Sequence, residues 1–291
     1  MKKIANFRIV FFLIGILIFV AVFLCSNFSL AKTISTPSTK IKVESLDFCD
    51  NGLFKIRLPI LMYHHIGSNP NPENTPAEGL YTPINIFENQ LALIKEANIN
   101  SITVREAGEI MLAKQDLSGK SIVLTFDDGY DDFYTNAYPL LKKYQLKGVL
   151  YVITDFVGQP GYITASQAKE MAESGVVEIA SHTLNHPDMK QLNSKDALKQ
   201  LVESKANLEK IIGQKVYDFA FPYGFFRHNE LQLVRKAGYL TSASTLPGLL
   251  QYSNNRFYLF RERPGRREGQ EFSHWLSVLE GEKATTTVKL K

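Results

Sequence analysis

Short runs of apolar and β-branched residues alternate with amphipathic stretches along most of this chain, and that alternation narrows its fold more than any other feature. Pro59–Tyr63 is followed by a helical pattern at Phe87–Ala97, Ser101–Val104 by Glu106–Ala113, and Ile122–Phe126 by Phe133–Tyr144. Val149–Ile153 then precedes a helix opening at Thr164, Val176–Ala180 a long one over Ser194–Ile212, and Val216–Phe221 one over Asn229–Ala237. Leu240–Ser244 and Phe257–Phe260 add strands, and Glu271–Leu279 a last helix. Strands joined through helices belong in a parallel sheet, because a parallel pair cannot be closed by a tight turn. About seven of them predict an α/β fold, an irregular parallel barrel of the (β/α)7 type rather than a sandwich. No internal sequence repeat is evident.

Ahead of the alternation stands a different kind of segment. Lys2, Lys3 and Arg8 precede an uninterrupted apolar run from Ile9 to Leu24, and Ser29-Leu30-Ala31 offers small residues where a signal peptidase would cut. The run is slightly shorter than the roughly 20 residues that span a bilayer comfortably, which favours a cleaved signal peptide over an N-terminal membrane anchor at residues 1–31. An exported protein follows, secreted or held at the cell surface. Residues 32–55, rich in Ser, Thr, Lys and Pro, read as a linker; 56–280 form the globular domain; 281–291 are a polar, flexible tail. Loss of the leader lowers the formal charge from +4 to +1, so the basic balance says nothing of nucleic acid. Cys25 lies in the leader and Cys49 is then the only cysteine, so the domain has no internal disulfide.

Two motifs carry chemistry. Thr125-Phe126-Asp127-Asp128-Gly129 ends the buried run Ile122–Phe126, and Ser181-His182-Thr183-Leu184-Asn185-His186 ends Val176–Ala180. In a continuing strand Asp127 and Asp128 would point to opposite faces; where the strand stops and turns at a glycine, both can reach one cavity. Two imidazoles four positions apart on the same barrel face, opposite a carboxylate pair, suit a mononuclear metal site with open positions for water and substrate. Zinc is the default for such donors, and cobalt, nickel or iron are compatible. Gly67–Pro83 is expected as a long loop on this same face, where substrate loops are built.

These residues resemble the NodB-type polysaccharide deacetylases of carbohydrate esterase family 4, over roughly Ile56–Leu279. The resemblance implies the family's irregular barrel, with Asp128, His182 and His186 as metal ligands and Asp127 as general base. Phe221-Pro222-Tyr223-Gly224 is similar to the segment whose tyrosine amide, here that of Tyr223, helps hold the oxyanion. Many relatives carry an arginine just before this proline to orient the base; here Phe219-Ala220-Phe221 stands instead, which leaves Arg261 or Arg263 as candidates. The late Leu-x-Leu-His motif that supplies the acid in the commoner members is also missing, since neither His228 nor His274 fits it. Met62-Tyr63-His64-His65 at the end of the first strand resembles the circularly permuted branch of poly-β-1,6-N-acetylglucosamine deacetylases, and assigns the acid to His64, with His65 packing nearby.

The activity so implied is metal-dependent hydrolysis of N-acetyl groups on N-acetylglucosamine residues of an exported glycan. An O-acetyl xylan esterase and a catalytically inactive glycan-binding barrel are the alternatives. Partners are expected to be the N-acetylated glycan alone, with no nucleic acid, membrane contact only through the N-terminal segment, and a monomeric state.

Overall fold

The computed structural model describes residues 54–71, 73 and 75–281. The expected leader, nearly all of the linker and the tail beyond Gly281 lie outside the described residues. Among the described residues no helix is long and apolar enough to cross a membrane.

In chain order the strands are β1 (Lys55–Arg57), β2 (Ile60–Tyr63), β3 (His65–Ile66), β4 (Tyr81–Thr82), β5 (Asn100–Ser101), β6 (Ser121–Phe126), β7 (Gly148–Val152), β8 (Val177–Ser181), β9 (Asp218–Ala220), β10 (Thr241–Ala243) and β11 (Leu250–Tyr252). The α-helices are α1 (Thr75–Glu78), α2 (Ile84–Glu96), α3 (Val104–Ala113), α4 (Tyr138–Tyr144), α5 (Ala165–Glu173), α6 (Ser194–Ile212), α7 (His228–Lys236) and α8 (Gly269–Glu280). Seven strands make one parallel sheet in the order β10-β9-β8-β7-β6-β2, with β5 added to the start of β6. The expected α/β barrel is what forms. Its two ends are joined by residues 259–262, where Leu259 bonds to Ser242 and Ser244 of the β10 side and Glu262 bonds to Ile60 and Met62 of β2.

That closing segment corrects the expectation of a strand over Phe257–Phe260. Leu259 and Glu262 make isolated parallel bridges to different neighbours, while the Phe260 amide goes to the Gln251 side chain and the Arg261 amide to the Leu246 carbonyl. No two successive residues share a ladder, so no strand is formed, yet the gap is bridged.

Several other boundaries moved for local reasons. Ser101–Val104 shortens to β5 because Thr103 caps α3 through a capping box with Glu106, which makes Val104 the first helical residue. Thr164 caps α5 with Gln167 in the same way, and α6 spans the expected Ser194–Ile212, opened by Asn193 and closed by Gly213 at φ 71°. The expected helix Phe133–Tyr144 begins with a π-turn over Phe133–Ala137, since Pro139 has no amide to donate to the carbonyl four residues back. Gly67–Pro83 is not wholly loop: it holds α1 and β4, and β4 pairs parallel with β3.

Two buried layers follow from the period-two alternation of the strands. Ile60, Val123, Val149, Ala180, Ala220 and Ala243 pack in one cluster inside the barrel. Leu61, Leu124, Phe126, Leu150 and Phe219 face outward against Phe87, Leu141, Met171, Leu201 and Phe272 of the helices. Helix α3 approaches β10 so closely at Gly108 that a Cβ there would lie 2.6 Å from Thr241 Cγ2. Gly108→Val is therefore expected to destabilise the fold by about 1–3 kcal/mol, read by urea denaturation, although Val lacks nothing in burial tendency.

Candidate metal centre and catalytic cavity

The inward register of three strands, continued one residue past each end, delivers the polar groups of the site. Val123, Thr125 and Asp127 share a face, as do Ile60, Met62 and His64, and Glu178, Ala180 and His182. The Asp127 amide still bonds to the Tyr63 carbonyl and the His182 amide to the Val152 carbonyl, at 3.0 and 2.9 Å, so both side chains are set by strand geometry. Asp128 joins them because its own φ is 76°, the left-handed region, which swings the second carboxylate back to the same side. Gly129 continues at φ 80°, and a Cβ there would press on Val152 Cγ1 at 3.3 Å, so the turn needs glycine on both counts.

Asp128, His182 and His186 offer one ligand atom each within a group whose members all lie within 4.8 Å of one another. Asp128 Oδ1 is buried with no hydrogen-bond partner, and His182 Nε2 and His186 Nε2 stand 3.4 and 3.5 Å from it. A buried carboxylate oxygen left unsatisfied between two imidazole nitrogens is costly unless something positive completes it, so these residues fit a divalent cation. The His182 Nδ1–H donates to the Ala220 carbonyl at 2.8 Å, fixing the tautomer that leaves Nε2 free to ligate. His186 reaches the group from a residue at φ 59°, with its amide held by Thr183 Oγ1 at 3.0 Å, and Thr183 itself sits at φ 72°. Gln200 of α6 pins the loop between them, accepting from the Leu184 amide and donating to Asn185.

Charge in the site follows from burial and these contacts. Burial works to raise the Asp128 carboxyl, but the close approach and charge of His182, then the charges of His64 and His186, hold it far below the ordinary carboxylate range. His186 is pushed down to about 4, first by burial and then by the neighbouring His182. Asp127 feels the same burial, and the Arg261 guanidinium overcomes it through two hydrogen bonds of 2.7 and 2.8 Å, so the carboxyl stays low and ionised.

Of the two arginine candidates, Arg261 is the one that grips Asp127. It is 1% exposed, reaches in from the closing segment, donates also to the Ser244 carbonyl and Thr125 Oγ1, and lies over the Tyr151 ring at 5.6 Å. The place before Pro222 cannot serve, because Phe219 and Phe221 turn outward and Ala220 is inward but short. Arg263 lines the cavity without touching the carboxylate. His64 faces Asp127 from β2, with Nε2 3.9 Å from Oδ2. Burial lowers its pKa against the pull of Asp127 and Asp128. His65 turns away from the cavity: its Nδ1 meets Asp132 Oδ2 at 2.6 Å, and its ring is stacked between Tyr81 and Tyr130 at 4.2 and 3.6 Å. His228 and His274 lie on α7 and α8, outside the cavity lining.

Tyr223 closes the far wall. Its φ of 59° makes the Pro222–Gly224 turn, whose hydrogen bonds run from Gly224 to Phe221 and from Phe225 to Pro222 and leave the Tyr223 amide out. Gly224 is indispensable there, since a Cβ would fall 2.0 Å from Thr245 Oγ1. Together these residues line a cavity of about 500 Å³ that also takes in Leu80, Tyr130 and Phe225. Gln200, Tyr130 and Asp132 belong to none of the motifs above, and only the fold brings them to the site, Asp132 as the partner of His65.

Residues 114–242 match the family described as polysaccharide deacetylase. The chain is 30% identical over 225 residues to YxkH of Bacillus subtilis (strain 168), whose name places it among polysaccharide deacetylases, covering 77% of each chain. It is 27% identical over 188 residues to the poly-β-1,6-N-acetyl-D-glucosamine N-deacetylase of Staphylococcus aureus, covering 60% of this chain and 64% of the relative. Among solved structures, the deacetylase PplD of Streptococcus pyogenes in complex with acetate superposes with a TM-score of 0.66 at 32% identity, over 73% of this chain and 93% of that one.

If Asp128 and the two histidines hold the cation, titration of the metal-free protein with Zn2+ should give one tight site, and His182→Ala should weaken it at least 100-fold by removing a ligand. Unchanged affinity in His182→Ala would place the metal elsewhere.

Proposed function

Because the chain belongs to the polysaccharide deacetylase family, we propose that it is an exported, zinc-dependent N-deacetylase that removes acetyl groups from N-acetylglucosamine residues of a cell-surface or extracellular glycan. The observation that carries this reading is the division of labour between adjacent carboxylates: Asp128 is turned to the histidines, and Asp127 is kept ionised by Arg261 beside them. Export rests on the basic and apolar N-terminal segment. The likeness to the Staphylococcus aureus enzyme, together with the early His64, supports poly-β-1,6-N-acetylglucosamine as the substrate.

A divalent cation at Asp128, His182 and His186 would supply Lewis acidity, polarising a carbonyl and acidifying a water molecule. Asp127 takes the proton of the attacking water, its lone pairs aimed by the two Arg261 hydrogen bonds. The Tyr223 amide, which the turn leaves out of its own hydrogen bonds, is the donor assigned to the oxyanion that forms from the acetamide carbonyl, and losing one such donor typically costs about 2.7–4 kcal/mol. His64, in its protonated form, delivers a proton to the departing sugar nitrogen, which cannot leave as an amide anion. The proton gained by Asp127 can re-arm His64, since the two groups face each other across 3.9 Å. Acetate and a free amine result. The amine is cationic at neutral pH, so a neutral polymer becomes one that adheres to acidic surfaces.

Acetate release measured over a panel of N-acetylated glycans and acetylated xylan tests the reading. Asp127→Asn is expected to lower the rate by about 10²–10⁴-fold with bound metal retained. His64→Ala should depress amide cleavage far more than ester cleavage, because an alkoxide leaves with less help. Full activity of His64→Ala on the preferred substrate would favour the O-deacetylase instead, and no acetate from any glycan by the metal-loaded enzyme would favour a binding barrel.

A further inference from the structure

Two carboxyl groups are buried together beneath the metal centre, toward the end of the barrel where the strands begin. Glu178 of β8 and Asp218 of β9 share the inward face with Ala180 and Ala220, and the two strands are neighbours in the sheet. Asp218 is fully buried, and Glu178 is half-buried beside a small opening of about 210 Å3 that it lines with Arg105, Glu106 and Lys147. Asp218 Oδ2 and Glu178 Oε1 are both enclosed with no hydrogen-bond partner. Neither residue has a part in the chemistry above.

No cation answers this pair. Arg105 is committed to Glu109 at 3.3 Å, Lys147 to Glu106, Lys205 of α6 to Glu209 at 3.2 Å and to the Val216 carbonyl, and Arg261 to Asp127. Tyr151 of β7 also faces Asp218, and its hydroxyl is likewise buried without a partner. Two like charges this close, away from water and unpaired, do not both persist. A proton resolves the conflict, because a carboxylic acid has the donor that two facing carboxylates lack. The surroundings decide which residue carries it. Glu178 Oε2 accepts from the Arg105 amide at 3.3 Å, in the first turn of α3, where the helix dipole favours negative charge. Asp218 accepts only from the Thr241 hydroxyl on β10, and burial, then the charge of Glu178, push its carboxyl well above the ordinary range.

The place of the pair gives the proton a consequence. Strands β7 and β8 pair along their length, Gly148–Val152 against Val177–Ser181, whereas β8 and β9 register only at Ser181 and Phe219. This thin seam carries much of the site. Strand β8 runs into His182, whose Nδ1–H rests on the Ala220 carbonyl of β9, and β9 runs into the turn of Tyr223.

We propose that Asp218 holds a proton and donates it to Glu178, and that this bond is a clasp across the β8–β9 seam which opens when the proton is lost at high pH. The clasp acts through the strands that carry His182 and Tyr223, so it makes the site sensitive to alkali whatever the cavity hydrolyses. The opening beside Glu178 gives the proton its way out to water. Because the Asp218 carboxyl is raised in the folded state, the stability it lends is fully present below its unfolded value of about 3.9 and is lost as the pH rises through the folded-state value.

Asp218→Asn tests the clasp, since its amide can donate to Glu178 at every pH. In urea unfolding of the full chain, the unfolding constant of the intact protein relative to that of Asp218→Asn should climb about tenfold per pH unit, from about pH 5 until the folded-state value is passed. Amide hydrogen exchange over residues 218–221, referred to that of β7, should quicken across the same range in the intact protein and not in the variant. At neutral pH the infrared spectrum of the intact protein should carry a protonated-carboxyl C=O band that Asp218→Asn lacks and Glu178→Gln shifts. If Asp218→Asn does not fold, that band and its shift decide alone. Parallel stability profiles or a missing band overturn the proton, and a band with parallel exchange overturns the clasp. Stabilisation of the intact protein by added K+ that Asp218→Asn does not share would put a cation between two carboxylates, and overturns the proton as well.

Discussion

The ion pair between Arg261 and Asp127 joins the closure of the barrel to the chemistry at its mouth. Arg261 belongs to the segment that bridges β10 and β2, and Asp127 ends the central strand β6. Neither could be buried alone, because an uncompensated charge in this interior costs several kcal/mol, on the order of 3–5 when one partner of such a pair is removed. Paired in bidentate geometry, with Ser244 and Thr125 taking further guanidinium protons, they are satisfied. The alanines at 180, 220 and 243 matter here as well. Small inward side chains on three neighbouring strands leave the volume that Arg261 and Tyr151 fill.

Around this pair the site is made from backbone that ordinary residues avoid. Asp128, Thr183, His186 and Tyr223 all have φ between 59° and 76°, and each lies just past the end of a strand. Non-glycine residues in that region carry a cost on the order of 1 kcal/mol or more, which persists only where the surroundings enforce it. The enforcement is visible: strand ladders up to Asp127 and His182, Gln200 gripping the loop that ends in His186, and Thr245 packed on Gly224. The strain serves one end. It lets consecutive or nearby side chains converge on a single cavity instead of alternating across a sheet.

Much of this could be read from the chain before any coordinates. The alternation of apolar strands and amphipathic helices led to the barrel, and α6 falls where its period placed it because caps at Asn193 and Gly213 punctuate it strongly. Asp127, His182 and His64 were legible since each ends an apolar strand, and the strand fixes where it points; Asp128 and His186 follow in the same motifs, but their direction is set by turns at φ 76° and 59°. What was hidden depends on long-range geometry. Phe257–Phe260 looked like a strand from composition, yet residues 259–262 serve instead as a bridge because their partners alternate between neighbours. Choosing Arg261 over Arg263 required knowing that only one of them lies inward of the closure. Gln200 and Asp132 act on residues 15 or more positions away, and no local pattern marks them.

If closure and catalysis share the Arg261–Asp127 pair, a double-mutant cycle will separate the two. The account expects Arg261→Met alone to destabilise the fold by about 3–5 kcal/mol by stranding the Asp127 charge. Adding Asp127→Asn should recover most of that loss in denaturant unfolding, while acetate release stays abolished in the double variant. Strictly additive stability losses would contradict it, for they would mean that the two side chains act independently and that the base is held by something else.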